Sequence, residues 1–410
     1  MERELKVIIF VENIQKGGVD TFCSLLINQW PNINDNIVLV YNESHPGKDN
    51  LKNSISRECE FVGHKIPLTW NISAKLPSFF PIVAVRGFQL LLRYLLPLFQ
   101  YISIRNIFKK SKGDELLVVN GGYPGAETCR IANIVWFRMG RKPSIHNFHN
   151  FAQKPKFGLR WYEGFIDREL LKSVKLFVSV SHSCSESLKT RDTFQSLTAS
   201  NNRYIYNGTV DNNHSDSTLD IRKHFMIDSN PICIMLGTYE TRKGHKFIFE
   251  AFKRVLEIVP NAHLVTCGAG TKEELIVINN LSEKASLGDN VHVLGFIPNG
   301  ASLIKQADIL LIGSQEFESF GFTAVEAMIR STVVVSTNIG GLPEVVGTDG
   351  SCGYIVDHND AINFSNKILS LLKDKNMRRT MGKSGRDRAL ELFSADRMSK
   401  EYLDALLEKT

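Results

Sequence analysis

The sequence has no Cys-x-x-Cys pair and no Cys/His cluster at zinc spacing, although it holds seven cysteines. Dispersed cysteines in odd number argue against a zinc module and fit free thiols in a reducing compartment. Met1–Lys6 is charged and lacks the apolar core and small-residue cleavage site of a secretory leader, so a cytoplasmic protein is expected. Internal repeats and low-complexity tracts are absent. One long segment also lacks acid: Phe61 to Gly113 contains eight Lys/Arg and no Asp or Glu. The 410 residues are 43% hydrophobic and 22% charged, which excludes wholesale disorder, collagen and coiled coil and leaves room for two or three domains.

The net charge of +6 is unevenly spread. Residues 1–210 carry 27 Lys/Arg against 17 Asp/Glu, and the remainder carries 22 against 26. A basic first half points to an anionic partner, a membrane surface or a nucleic acid. Within it, Leu76–Lys112 is apolar but punctuated by Arg86, Arg93, Arg105, Lys109 and Lys110, and its longest uncharged run, Tyr94–Ile104, has 11 residues. That run is shorter than the ~20 residues a bilayer span needs, and Pro81 and Pro97 interrupt the segment. An interfacial amphipathic helix is the expectation, and a pair of core helices with basic outer faces the competing reading. With no nucleic-acid motif evident, the expected partner of 76–112 is an anionic membrane surface, and the expected location is cytoplasmic and peripheral to the membrane.

Continuous apolar runs of strand length alternate with helix-length stretches. They are Leu5–Val11, Ile37–Tyr41, Leu116–Asn120, Leu176–Val180 and Tyr204–Tyr206, then Ile232–Gly237, His263–Cys267, Val291–Leu294, Ile309–Ile312 and Val333–Ser336. Continuity rather than alternation predicts parallel strands buried on both faces, hence α/β doubly wound domains. Phe247, Ile248, Ala251, Phe252, Val255, Leu256 and Val259 make a helical stripe ended by Pro260. The polar stretch Asn207–Ser229 before the strand at Ile232 marks a boundary. It divides the chain into domains 1–208 and 209–392, with a last helix in 393–410. Two such domains facing a central cleft would place a ligand there.

Three post-strand loops carry candidate chemistry. Gly313–Gly321 follows a strand and precedes a helix start, where free N–H groups and the helix dipole suit an anion, so Ser319, Phe320, Gly321 and Phe322 are candidates. Glu318 and Glu326 cannot hold phosphate but can accept hydrogen bonds from sugar hydroxyls; a solvated carboxylate at a helix start explains either one equally well. Met235–His245 brings Arg242 and Lys243 to a strand end, where a compact ammonium suits a diphosphate; a basic surface loop is the plainer reading. Gly17-Gly18 after the first strand allows close backbone approach, as does any tight turn. Gly268-Ala269-Gly270 also follows a strand, but a dinucleotide fingerprint needs glycine where Glu273 stands, which counts against a nicotinamide enzyme.

Together these pieces resemble the retaining glycosyltransferases of family 4, which have the GT-B architecture. The resemblance rests on Glu318, Glu326, Ala327-Met328 and Ile339-Gly340-Gly341-Leu342-Pro343-Glu344, with Gly237, Lys243-Gly244, Gly268-Ala269-Gly270, Asn207–Asp211 and Gly17-Gly18. It is strong over the second half and faint over the first. It implies that Lys243 binds the donor diphosphate, that the backbone of Phe320–Phe322 contacts phosphate and donor sugar, that Glu318 binds sugar hydroxyls and that Glu326 binds the ribose. It further implies that Gly18 packs against phosphate, that Gly295–Ile297 holds the base, and that His149 meets the donor sugar, with His146 a competing candidate on the other side of its strand. Relatives often carry Arg directly after the glycine matching Gly237; here Thr238 stands there, and Arg242 is the candidate substitute. The expected activity is retaining hexosyl transfer from a UDP- or GDP-sugar to a glycan or lipid-linked acceptor in polysaccharide or glycolipid synthesis. No cofactor or metal is expected, since no Asp-x-Asp occurs. The alternatives are an epimerase or phosphorylase of the same fold, or a non-catalytic nucleotide-sugar or carbohydrate-binding protein. The last helix is expected to cross back to the first domain.

Overall fold

A computed structural model describes residues 4–74, 76–77, 79–211 and 219–408. Residues 212–218, within the boundary stretch Asn207–Ser229, lie outside the described residues. The chain divides into two compact units, 1–208 with 395–410, and 209–394.

The first unit is built on seven strands: β1 (Lys6–Glu12), β2 (Asn36–Asn42), β3 (Glu60–His64), β4 (Glu115–Asn120), β5 (Ser144–Phe148), β6 (Val174–Ser179) and β7 (Asn202–Tyr204). They run parallel in the order β3-β2-β1-β4-β5-β6-β7. The apolar runs are continuous because each face has its own core. Ile8 and Phe10 of β1 join Leu116 and Val118 of β4 on one side, while Val7, Ile9 and Val11 join Leu117 and Val119 on the other. Each such side chain contributes roughly 1.5–3 kcal/mol on burial. The C-terminal helix Ala395–Leu407 closes the second face with Met398, Tyr402, Ala405 and Leu406. Asn147 of β5 donates a 2.6 Å hydrogen bond to the Tyr402 hydroxyl.

The second unit holds β8 (Ile232–Leu236), β9 (His263–Cys267), β10 (Val291–Leu294), β11 (Ile309–Ile312), β12 (Val333–Thr337) and β13 (Gly353–Val356). This parallel sheet has the order β10-β9-β8-β11-β12-β13. The striped helix His245–Ile258 buries Phe247, Ile248, Ala251, Phe252 and Val255 against it.

Three expectations need correction. The last strand of the first sheet is Asn202–Tyr204, not Tyr204–Tyr206, because Asn202 to Tyr204 pair with Phe177–Ser179 of β6. Strand β3 has no apolar run to announce it, and β13 has only the short Tyr354–Val356. And Leu76–Lys112 is neither a pair of core helices nor interrupted at Pro97: Ile82–Ser111 is one 30-residue helix with Pro97 inside it. Proline there removes one backbone bond without forcing the chain out of the helix. The helix is long and apolar enough to cross a membrane by length and composition, so the 11-residue uncharged run understated it. It buries Leu92, Gln100, Ile104, Phe108 and Ser111. Eight of its large apolar side chains, among them Ile82, Leu91, Leu95, Leu98, Phe99 and Ile102, are exposed instead.

Candidate functional site

Each sheet has one point where the strand order reverses, and loops leaving the carboxyl ends there form a natural crevice. In the second unit the point lies between β8 and β11. The loop after β8 carries Lys243, and the loop after β11 carries Ser314 and Glu318. Lys243 Nζ donates to Glu318 Oε2 at 2.6 Å, and Ser314 Oγ donates to the same oxygen at 3.1 Å. The pair is largely withdrawn from solvent, with side-chain exposures of 20% and 17%. The helix Phe322–Ile329 begins beside it, with Gly321 as its N-cap. A cation, a carboxylate and a helix N-terminus therefore share one sheet edge, and Lys243, Ser314, Glu318 and Gly321 line one small cavity there.

Backbone stitching holds these loops in place. Gln315 N donates to Arg242 O at 2.8 Å, and Gly341 N donates to Glu318 O at 2.9 Å. Thr337 Oγ1 donates to Ser314 O at 2.7 Å. The glycines of the Ile339–Glu344 motif act through this packing. Gly340 has φ +59, and a Cβ there would lie 2.0 Å from the Glu318 carbonyl oxygen. Gly244 has φ +76, and a Cβ there would lie 1.8 Å from the Gly313 carbonyl oxygen. Both combine a left-handed backbone with no room for a side chain.

Glu326 stands one turn into the helix, half-buried, and burial pushes its carboxyl up to about 7, against a smaller opposing effect of Arg330. Ser319 and Phe322 are half-buried at the helix start, whereas the Phe320 ring is buried against Phe322 and Phe393 and anchors the loop. Ile297 lies past the end of β10, in a segment tied to β9 by Cys267 Sγ donating to Gly295 O at 3.3 Å. Arg242 is not with Lys243 and Glu318: its Nε donates to Glu240 Oε2 at 2.6 Å and its guanidinium lies over the Phe317 ring at 4.7 Å. Glu240 also accepts from Thr238 Oγ1 at 2.7 Å, so the threonine that replaces the expected arginine joins that same cluster.

In the first unit the order reverses between β1 and β4. Gly17 and Gly18 follow β1, where the helix Gly18–Asn28 begins, and Gly121 and Gly122 follow β4. These glycines, with Glu12, Asn13, Ala126 and Asn150, line a cavity of about 450 Å³. His149 lies just past β5, its ring edge-on to Phe22 at 4.4 Å. Burial lowers its pKa to about 3, so the ring is neutral at physiological pH, and its Nε2 is buried without a hydrogen-bond partner. His146 sits inside the opposite core, stacked on Phe148 at 4.5 Å and held by Asn133 Nδ2 at 2.7 Å. The two histidines do face different sides of the strand.

Several participants carry little or no signal in the local sequence. Ser314 and Thr337 are small residues whose roles depend on pairings 4 and 23 residues away along the chain. Tyr239 donates to Thr266 O at 3.3 Å and to Leu294 O, joining the ends of β9 and β10 beneath the Gly295–Ile297 segment. Glu12 accepts 2.8 and 2.6 Å bonds from Thr128 N and Oγ1. Burial raises its pKa to about 7, with Glu127 adding to the rise. A lone glutamate ending an apolar strand was the available signal. No group of three or more potential metal-ligating side chains occurs among the described residues.

Residues 216–388 match the family model described as "Glycosyl transferases group 1". Over 187 residues the chain is 29% identical to N-acetyl-alpha-D-glucosaminyl L-malate synthase of Bacillus anthracis, covering 46% of this chain and 48% of that protein. The chain thus matches about half the length of that curated relative. A solved glycosyltransferase from Rickettsia africae superposes with TM-score 0.77 at 17% identity, covering 100% of both chains. The Anabaena protein HepE in complex with UDP superposes with TM-score 0.73 at 16% identity, covering 98% of this chain and 99% of that one. The second unit is therefore matched to the glycosyl transferases group 1 family, and the two parallel-sheet units together have the GT-B fold of solved glycosyltransferases.

Proposed function

We propose that the chain is a retaining glycosyltransferase that moves a hexosyl group from a UDP- or GDP-linked sugar to an acceptor hydroxyl. The observation that carries this reading is the meeting of Lys243, Ser314, Glu318 and the Phe322 helix N-terminus at the reversal point of the second sheet. That edge is furnished for a ligand that is anionic at one end and rich in hydroxyls at the other. Lys243 and the helix N-terminus take the diphosphate charge, and Glu318 takes donor-sugar hydroxyls once Lys243 turns to the phosphate. Glu326 takes the ribose, and the backbone around Ile297 takes the base. Within the first unit, Gly18 and the neutral His149 are the residues proposed for the donor, and the glycine-lined cavity is the proposed acceptor site.

In the reaction, the bond between the anomeric carbon and the diphosphate oxygen breaks. A bond to the acceptor oxygen forms on the same face, and the acceptor proton passes to the leaving phosphate. Catalysis then consists of orientation and stabilisation of the leaving group. This reading assigns no step to a metal or cofactor. The acceptor is a glycan or a lipid-linked sugar of polysaccharide or glycolipid synthesis. Support for the lipid comes from the exposed apolar helix Ile82–Ser111, whose segment 76–112 docks on an anionic membrane. Seven free cysteines fit a cytoplasmic, peripherally attached protein.

The test is a panel of nucleotide sugars with and without candidate acceptors, reading nucleotide release and the anomeric configuration of the product by NMR. Acceptor-dependent release with retained configuration is expected. Inverted product would refute the retaining mechanism, and sugar isomerisation without an acceptor would establish an epimerase.

A further inference from the structure

The exposed apolar surface of the first unit does not end with the long helix. Along that helix Leu91, Leu95, Leu98, Phe99 and Ile102 recur at helical spacing and stay open to solvent, Leu98 at 71%. A second element borders it. Tyr94 Oη donates to Gly158 O at 2.9 Å, the Tyr94 and Tyr162 rings are 5.4 Å apart, and a Cβ on Gly158 would touch Leu90 at 3.1 Å. Against this junction stand Phe157, 96% exposed, and Trp161, 74% exposed, with Trp161 stacked on the exposed Phe165. Isolated exposed apolar side chains are ordinary, but a contiguous field of this kind marks an interaction surface.

The charge around it is sorted by sign. Lys154, Lys156, Arg160 and Arg168 are exposed beside the aromatics. On the helix Arg160–Ser173 the acids Glu163 and Asp167 are 1% and 2% exposed at their side chains and are neutralised by the buried Arg191 at 2.9 and 2.8 Å, while Glu169, 14% exposed, is neutralised by Arg138 and Lys172 at 2.6 and 2.9 Å. On the long helix Arg86, Arg105, Lys109 and Lys110 are exposed, and no acid occurs from Phe61 to Gly113. An apolar field rimmed by exposed cations is complementary to anionic lipid headgroups over acyl chains. Two copies of it would set like charges against each other.

We infer that segment 157–165 and the long helix form one membrane-docking face, with Trp161 and Phe157 as its interfacial anchors and the helix lying flat on the bilayer. This rests on the peripheral-membrane part of the reading above and extends it to a second element. Flat seating follows from the helix's inner side: Ile104 and Phe108 belong to the core of the unit, and Arg93 pairs with Glu127 at 3.3 Å. A spanning orientation would have to break both. Glu127 directly follows Ala126, which lines the 450 Å³ cavity, so the lipid face adjoins the place where an acceptor enters.

Trp161 also supplies the probe. Trp30 and Trp136 are buried and Trp70 half-buried, leaving Trp161 as the exposed indole among the four tryptophans. With phosphatidylglycerol-rich vesicles the intact chain is expected to show blue-shifted emission and quenching by brominated acyl chains, both lost in Trp161→Phe. Phe157→Ser/Trp161→Ser should weaken vesicle partition by about tenfold or more, with circular dichroism and thermal midpoint unchanged and nucleotide release in solution retained. Wild-type partition in that double variant, alongside loss in Leu95→Ser/Leu98→Ser, overturns the second element and leaves the long helix's role standing. Emission that shifts with protein concentration without lipid, together with a dimer in sedimentation, overturns the membrane assignment altogether. Loss of nucleotide release in every variant and in wild type is instead a failure of the proposed reaction, and vesicle binding is read separately from it.

Discussion

At the scale of single residues, the Lys243–Glu318 pair decides the account. The sequence placed the lysine at a strand end with solvent around it. The structure places it half-buried on a carboxylate that stands 75 residues further on. Lys243→Ala therefore has two costs. It should lower kcat/KM by roughly 2.7–4 kcal/mol of transition-state stabilisation, the range for a lost oxyanion donor. It should also lower stability by about 1–2 kcal/mol, between the exposed and buried limits for a broken ion pair. Chemical denaturation and steady-state kinetics on the same variant measure both, and unchanged kcat/KM contradicts the assignment.

Glu326 gives the pH dependence. Its folded-state pKa is raised from the usual carboxylate value to about 7 by burial. Protonation therefore favours the ligand-free folded state, and this contribution is lost as pH rises from about 4.5 through 7. Ribose hydroxyls donate to the carboxylate, so nucleotide binding has the opposite slope: affinity should rise as pH increases from 6 to 8, by up to about tenfold per unit below the pKa. Glu326→Gln should flatten both profiles. Calorimetry at several pH values is the check, and an unchanged slope in the variant removes Glu326 from the ribose. Glu318→Ala should spare free nucleotide and impair turnover; Glu326→Ala should weaken free nucleotide too.

At the scale of elements, the parallel strands were legible because both faces of each sheet are buried, as Val7–Val11 splitting between two cores makes plain. Strand β3, reading Glu-Phe-Val-Gly-His, was not legible, since an edge strand with a partly exposed face carries no such run. The loops of the second unit were legible as a motif but not as a machine. That Gly340 supports Glu318, or that Ser314 is held by Thr337, follows from loops converging on one sheet edge, which local sequence does not encode. Gly340→Ala should accordingly displace the Glu318 loop, lowering turnover by at least about 100-fold and stability by several kcal/mol, because strain and clash act together at that position. Near-wild-type kinetics would show that the loop relaxes without consequence. The long helix is the clearest misreading. Counting uncharged residues between Arg93 and Arg105 ignored that a helix can carry charges on several sides: Arg93 turns inward to Glu127, while Arg105 is exposed.

At the scale of the whole molecule, the family match and the exposed apolar and cationic surfaces fall on different units. The second unit carries residues 216–388 of the family match, and the first carries the apolar and cationic surfaces. The C-terminal helix belongs to the first unit by its packing, with Met398, Tyr402 and Leu406 in that core. Removing 395–410 should therefore unfold the first unit while leaving 209–394 compact, as read by limited proteolysis and hydrogen exchange. Protection of the β1 and β4 amides in the truncated chain would contradict this.

The central claim is that the reversal point of the second sheet is a nucleotide-diphosphate site. Titration calorimetry of the intact protein with UDP, GDP and ADP tests it most directly, with Lys243→Ala and Glu326→Ala measured in parallel. UDP or GDP is expected to bind, both substitutions to weaken that binding by about tenfold or more, and Glu318→Ala to leave it unchanged. Binding of none of the three nucleotides, or binding that both substitutions leave intact, would contradict it.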